Sequence, residues 1–190
     1  MNGELQGSRL ARLIVRQAQK RHLAPLWAAA AGVAPGMRLL DIGAGSGALS
    51  FEYAALVGAS GRVVALDPDE ECIGYIATEA RRRDLPIDAI VGSAEALPAF
   101  EFAPDRIMLT DALHHMSDPV AALAALRAII PRHGVLFIAE YDPAGPGAVG
   151  AKLARRTGPN RVASWLGAAG FNVGAHAAAP DEHYTFIATP

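Results

Sequence analysis

Four short segments hold the residues that could do chemistry, and each follows an apolar run. Leu39-Leu40-Asp41-Ile42-Gly43-Ala44-Gly45-Ser46-Gly47 sends an apolar stretch into a glycine loop, with an aspartate two positions before the first glycine. Glycines at such a place permit a tight turn and let a ligand approach the backbone, because no Cβ intervenes. Val63-Val64-Ala65-Leu66-Asp67-Pro68 ends on a carboxylate twenty positions past Gly47. There an acid can accept hydrogen bonds from both hydroxyls of a ribose, or it can cap the following helix. Gly92-Ser93-Ala94-Glu95 adds a hydroxyl and a carboxylate. Thr110-Asp111-Ala112-Leu113-His114-His115 adds two imidazoles, a group neutral enough near pH 7 to take a proton from a hydroxyl or amine.

Asp41 decides which ligand the glycine loop suits. Gly43-x-Gly45-x-x-Ala48 also fits a dinucleotide fingerprint, so the glycines alone say little. A dinucleotide would set its pyrophosphate on the helix N-terminus, where a neighbouring carboxylate repels it. A ligand carrying an ammonium group would be held by the same carboxylate.

These segments need a scaffold that brings strand ends to one edge. The apolar pattern alternates between strand-like runs at 37–42, 62–66, 87–91, 105–110 and 135–140 and helical runs at 46–56, 70–83 and 119–130. Such alternation predicts an α/β fold: a doubly wound parallel sheet with crossover helices, binding its ligands beyond the carboxyl ends of the strands. Two further helices are expected at 9–21 and 25–31, the first with Arg9, Arg12, Arg16 and Lys20 along one face. A Pro/Gly segment at 142–150 gives way to helical patterns at 151–156 and 161–169, then to two closing strands at 171–176 and 184–189. Adjacent histidines on regular structure point apart, so one of His114 and His115 is expected to pack or cap.

Composition narrows the remaining classes. The 190 residues suffice for one domain with a small appendage, and 52% hydrophobic against 19% charged residues excludes disorder. A net charge of −2 gives no field to attract nucleic acid or anionic lipid. A single cysteine, Cys72, fits a reducing compartment, and no apolar stretch reaches the ~20 residues that span a bilayer, so a soluble cytoplasmic protein is expected. Beside Asp111 and His114 or His115 no third ligand is evident, and no metal is expected.

The pattern Asp41-x-Gly43-x-Gly45-x-Gly47 resembles the first motif of the small-molecule class I S-adenosylmethionine-dependent methyltransferases, and the resemblance runs in order over residues 35–190. It implies a single Rossmann-like sheet, mostly parallel with an antiparallel C-terminal strand and helices on both faces, and a helical lid from residues 1–34 over a domain of 35–190. It implies S-adenosyl-L-methionine as cofactor and S-adenosyl-L-homocysteine as product. Gly43, Ala44, Gly45 and Gly47 would hold the methionine half, with Asp41 at its amino group or ordering the loop. Asp67 and Pro68 would sit at the ribose. Ser93 and Ala94 would meet the adenine where relatives commonly carry Asp, with Glu95 a substitute or a solvent-facing residue. Thr110 and Ala112 would touch the cofactor, and His114 or His115 is the candidate base. The reaction implied is in-line displacement from a sulfonium onto an O, N or C nucleophile of a small acceptor. Neither nucleic acid nor integral membrane is a partner in this reading, which leaves a homodimer open. The rivals are a non-catalytic S-adenosylmethionine-binding or scaffold subunit and, against Asp41, a nicotinamide oxidoreductase.

Overall fold

Ser8 opens the first helix by accepting a hydrogen bond from the Ala11 N–H, and α1 runs over Arg9–Ala18. The computed structural model describes residues 8–190, so the first seven residues of the expected lid lie outside the described residues. The chain divides into two compact units, Met1–Ser93 and Ala94–Pro190.

In the first unit α1 stops short of the expected residue 21. A 3-10 turn, Arg21–Leu23, leads directly into α2, Ala24–Ala30, whose Pro25 sits in the first turn where no intrahelical N–H is needed. Strands β1 (Arg38–Ile42), β2 (Arg62–Asp67) and β3 (Ile87–Val91) pair in parallel in the order β3-β2-β1. Helices α3 (Ala48–Val57) and α4 (Glu70–Arg82) make the crossovers. The first two strands are largely apolar along their length, interrupted in β1 only by Asp41, because parallel strands are covered on both faces. Accordingly Leu39, Leu40, Ile42, Val63, Val64, Ala65 and Leu66 are at most 2% exposed. The apolar stripe of α4, including Ile73 and Ile76, packs with Phe51 of α3 and Ala65 of β2.

In the second unit β4 (Arg106–Thr110) pairs in parallel with β5 (Val135–Tyr141), and α5 (Pro119–Ile129) connects them. After α6 (Pro159–Ala168) come β6 (Asn172–Val173), β7 (Ala177–Ala179) and β8 (His183–Thr189). Strand β8 lies antiparallel on β5, and β6 and β7 pair antiparallel with β8. Parallel βα units closed by an antiparallel C-terminal strand are the expected sheet class. Three details differ from expectation. The helical pattern at 151–156 is only a 3-10 turn, Leu153–Arg155, since Gly150 and Gly158-Pro159 leave too little chain for a helix nucleus. The strand expected at 171–176 keeps two residues as β6, and β7 arises from an alanine triplet that carries no strand preference of its own. Among the described residues no helix is long and apolar enough to cross a membrane.

Candidate functional site

The turn after β1 has left-handed backbone at three glycines: Gly43, Gly45 and Gly47 have φ of +73°, +56° and +76°. A side chain at any of them would strain the backbone. The N–H groups of Gly43 and Ala44 both donate to Leu66 O, at 2.8 and 3.1 Å, and fasten the loop to β2. Gly47 starts α3, and a Cβ there would lie 2.7 Å from Ile76 Cγ1.

Asp67 closes the loop from the end of β2. Its Oδ2 accepts from the Gly45 N–H at 2.8 Å and its Oδ1 from the Asp69 N–H at 2.9 Å. The capping role open to it on sequence belongs to Asp69, which accepts from the Glu71 and Cys72 N–H groups at 3.0 and 3.3 Å. With one donor on each oxygen, the Asp67 carboxylate retains lone pairs for two further donors. The Gly92 N–H donates to Asp67 O at 3.1 Å, which brings the half-buried Ser93 to the end of β2 as well.

Asp41 is 2% exposed and accepts from the Ser50 hydroxyl at 2.5 Å, so it ties the first turn of α3 to β1. Burial pushes its carboxyl up from 3.8 to about 7; the Ser50 bond opposes that rise and the Asp67 charge adds to it.

Helix α1 lies on the same loop. Gln17 Oε1 accepts from the Ser46 N–H at 2.7 Å and from the Ser46 hydroxyl at 2.6 Å, and Arg9 pairs with Asp69. Sequence reasoning passed over Gln17. The signal was its spacing of seven residues from Leu10, the buried residue of α1, which puts both on one helix face.

In the second unit Ala94 is buried, and Glu95 has a role the sequence did not suggest. Its Oε1 accepts from the Ser117 hydroxyl, the Asp118 N–H and the Ser117 N–H at 2.6, 2.8 and 3.0 Å, shaping the approach to α5. The Ser117 hydroxyl, then the Asp118 N–H, lower its carboxyl below the ordinary range. Thr110 is buried at the end of β4, Asp111 follows with a φ of +52°, and Ala112, half-buried, precedes a 3-10 turn over Leu113–His115. Glu140 of β5, with its side chain 1% exposed, gathers that turn. Its Oε1 accepts from the Leu113 and His114 N–H groups at 2.7 and 3.3 Å, and its Oε2 faces His114 Nδ1 at 2.7 Å. A carboxylate only accepts, so Nδ1 is the donor in this pair and Nε2 is the ring nitrogen left facing away from Glu140. His115 is exposed, yet its ring lies against that of His114 with centroids 4.1 Å apart. One of the pair packs, as expected: His114 is buried on Glu140, and the two rings can lie together because the 3-10 turn is not regular helix.

The segment after β5 is built on one arginine. The Arg156 side chain is fully buried; it pairs with Glu182 at 2.6 Å and donates to Ala151 O and Asp142 O, both at 2.8 Å, and to Val149 O at 2.5 Å. Glu182 in turn accepts from the N–H groups of Gly147, Ala148 and Val149. Beside them His183 Nε2 meets Asp111 Oδ1 at 3.0 Å, and its ring stacks on Tyr141.

Comparison with known proteins bears on this geometry. A family model described as a methyltransferase domain matches residues 39–134, just over half of the chain. The demethylmenaquinone methyltransferase of Renibacterium salmoninarum is 34% identical over 129 residues, 68% of this chain and 52% of that protein. The ubiquinone/menaquinone biosynthesis C-methyltransferase UbiE of Shewanella sp. strain ANA-3 is 30% identical over 113 residues, 58% of this chain and 45% of that protein. The chain thus spans about half the length of these curated relatives. Among solved structures, a SAM dependent methyltransferase from Aquifex aeolicus matches with a TM-score of 0.86 at 20% identity, over 95% of this chain and 98% of that one. The [4+2]-cyclase SpnF matches with a TM-score of 0.72 at 24% identity, over 83% of this chain and 58% of that one. Likeness at these identities shows the Rossmann-like fold and leaves the reaction to the site. With the family match covering the glycine loop, the Asp67 strand and the paired histidines, the chain belongs to the methyltransferase domain family.

Proposed function

We propose that this chain is an S-adenosylmethionine-dependent methyltransferase acting on a small molecule. The observation that carries the proposal is the closure of Asp67 on Gly45: a carboxylate at the end of β2, with lone pairs to spare, locked onto a turn of three left-handed glycines. Those residues fit the cofactor, since the turn presents backbone without Cβ atoms and the carboxylate can accept from two vicinal hydroxyls. Gly43, Ala44, Gly45 and Gly47 hold the amino-acid end, Asp67 and Pro68 the ribose, and Ser93 the adenine edge. When bound, the cofactor supplies a methyl group already activated by its sulfonium. The protein's part is therefore alignment, which can contribute several of the ~7–11 kcal/mol available from proximity. His114 Nε2 takes the acceptor proton, and Glu140 stabilises the charge that then appears on the ring. The names of the relatives make a hydroquinone the first acceptor to try. We place the reaction in a reducing cytoplasm, consistent with the lone Cys72, whose thiol burial pushes up to about 12.

Calorimetric titration with S-adenosylhomocysteine, with NADH in parallel, tests the reading. Micromolar binding of the thioether alone is expected, and binding of NADH instead overturns it. In the same assay Asp67→Ala should weaken S-adenosylhomocysteine by about 2 kcal/mol through lost charge-assisted hydrogen bonds. A drop in melting temperature with unchanged affinity would leave Asp67 only a loop brace.

Transfer of a labelled methyl group to a hydroquinone addresses the base. His114→Ala should lower kcat about 100-fold or more while S-adenosylhomocysteine affinity holds. Cofactor binding without transfer in the wild type would favour a scaffold subunit.

A further inference from the structure

Elementary donor chemistry fixes the Gln17 carboxamide in one orientation. The Ser46 N–H can only donate, so the Gln17 carbonyl must face it, at 2.7 Å, and the NH₂ end must face elsewhere. The Ser46 hydroxyl reinforces this orientation with a second bond to the same oxygen at 2.6 Å. The NH₂ end lies over Gly45: a Cβ built on that glycine would collide with Gln17 Nε2, and with its Oε1 and Cδ at 2.7 and 2.9 Å. Among the described residues this Nε2 meets no hydrogen-bond acceptor. A half-buried amide donor is thus held, unpaired, over the backbone of the loop assigned above to the amino-acid end of the cofactor.

We propose that Gln17 is a cofactor-binding residue whose NH₂ group donates to the carboxylate of S-adenosylmethionine; the proposal rests on the cofactor reading given above. An amide NH₂ requires an acceptor. At the amino-acid end of that cofactor the ammonium offers only donors, so the carboxylate is the matching group. Helix α1 carries the residue into place, anchored by buried Leu10 and by the Arg9–Asp69 pair. The helix expected as a lid then contributes recognition as well as cover, with its donor preorganised before the ligand arrives.

Two probes separate this role from others: S-adenosylhomocysteine, which has the amino-acid end, and 5′-methylthioadenosine, which lacks it. Calorimetry on the full chain should show Gln17→Ala weakening S-adenosylhomocysteine roughly 10- to 100-fold while methylthioadenosine affinity is unchanged. Gln17→Glu keeps an oxygen for Ser46 but sets a negative charge against the carboxylate, and should weaken S-adenosylhomocysteine at least as much. Thermal melting of both variants checks that α1 remains docked. Equal weakening of both ligands would make Gln17 a brace for the loop, and tighter S-adenosylhomocysteine binding would make it a latch; either result overturns the proposal. Failure of the wild type to bind either ligand is a different outcome, and it removes the cofactor reading itself.

Discussion

Gly45→Val abolishes S-adenosylhomocysteine binding in a protein that still folds, with affinity falling at least 100-fold, or about 3 kcal/mol. Two effects act together. The φ of +56° at residue 45 is unfavourable for any side chain and worst for a β-branched one, costing about 1–2 kcal/mol. The new Cβ also displaces the Gln17 carboxamide that lies over Gly45, which removes the amide donor proposed for the cofactor carboxylate. The Gly45 N–H that ties the loop to Asp67 cannot keep its position while the turn relaxes. Circular dichroism should confirm folding and calorimetry the loss; an unchanged affinity would remove the glycine turn from the binding site.

Asp41→Asn gives the second large effect, on the pH dependence of stability. The native carboxyl holds its proton up to about pH 7, whereas its ordinary value is 3.8, so between those limits the folded state binds more protons than the unfolded one. Stability attributable to Asp41 is therefore full at low pH, declines as pH rises from about 4 to 7, and is flat above. This direction is the reverse of that for a salt-bridged aspartate. The difference corresponds to a loss of up to about 4 kcal/mol across that window. Asparagine keeps an acceptor for the Ser50 hydroxyl and has nothing to titrate, so its urea-unfolding free energy should fall less than that of the wild type between pH 4.5 and 7.5. Parallel curves for the two proteins would show that Asp41 is not held protonated.

The parts of this fold legible in the sequence are those whose signal is local. Strands β1, β2, β4 and β5 were readable because mostly buried parallel strands are apolar runs bounded by Gly, Pro and Asp, and the half-buried β3 was readable from its short Ile-x-x-Ile-Val run, with limits of 87 and 91 that match the expectation. The glycine turn was readable because few other residues tolerate three left-handed positions in five. What stayed hidden depends on partners far along the chain. Gln17 reaches Ser46 across 29 positions and Glu140 reaches Leu113 across 27; its spacing from Leu10 sets Gln17 on the buried face of α1, but nothing in the local sequence names either distant partner. Asp67 was marked by its place after a strand, while the fact that Asp69 and not Asp67 caps α4 showed only in the hydrogen bonds. The alanine triplet of β7 is a strand only because β8 offers it a ladder.

The arginine beneath the segment after β5 has a kinetic consequence. The amides of Gly147, Ala148 and Val149 all end on one carboxylate, and that carboxylate is held by one guanidinium. Their exchange with solvent deuterium is therefore governed by a shared opening, the parting of Arg156 from Glu182, rather than by three independent fluctuations. The expected result is that the three amides exchange at one common rate in the wild type, and that Glu182→Ala speeds all three together.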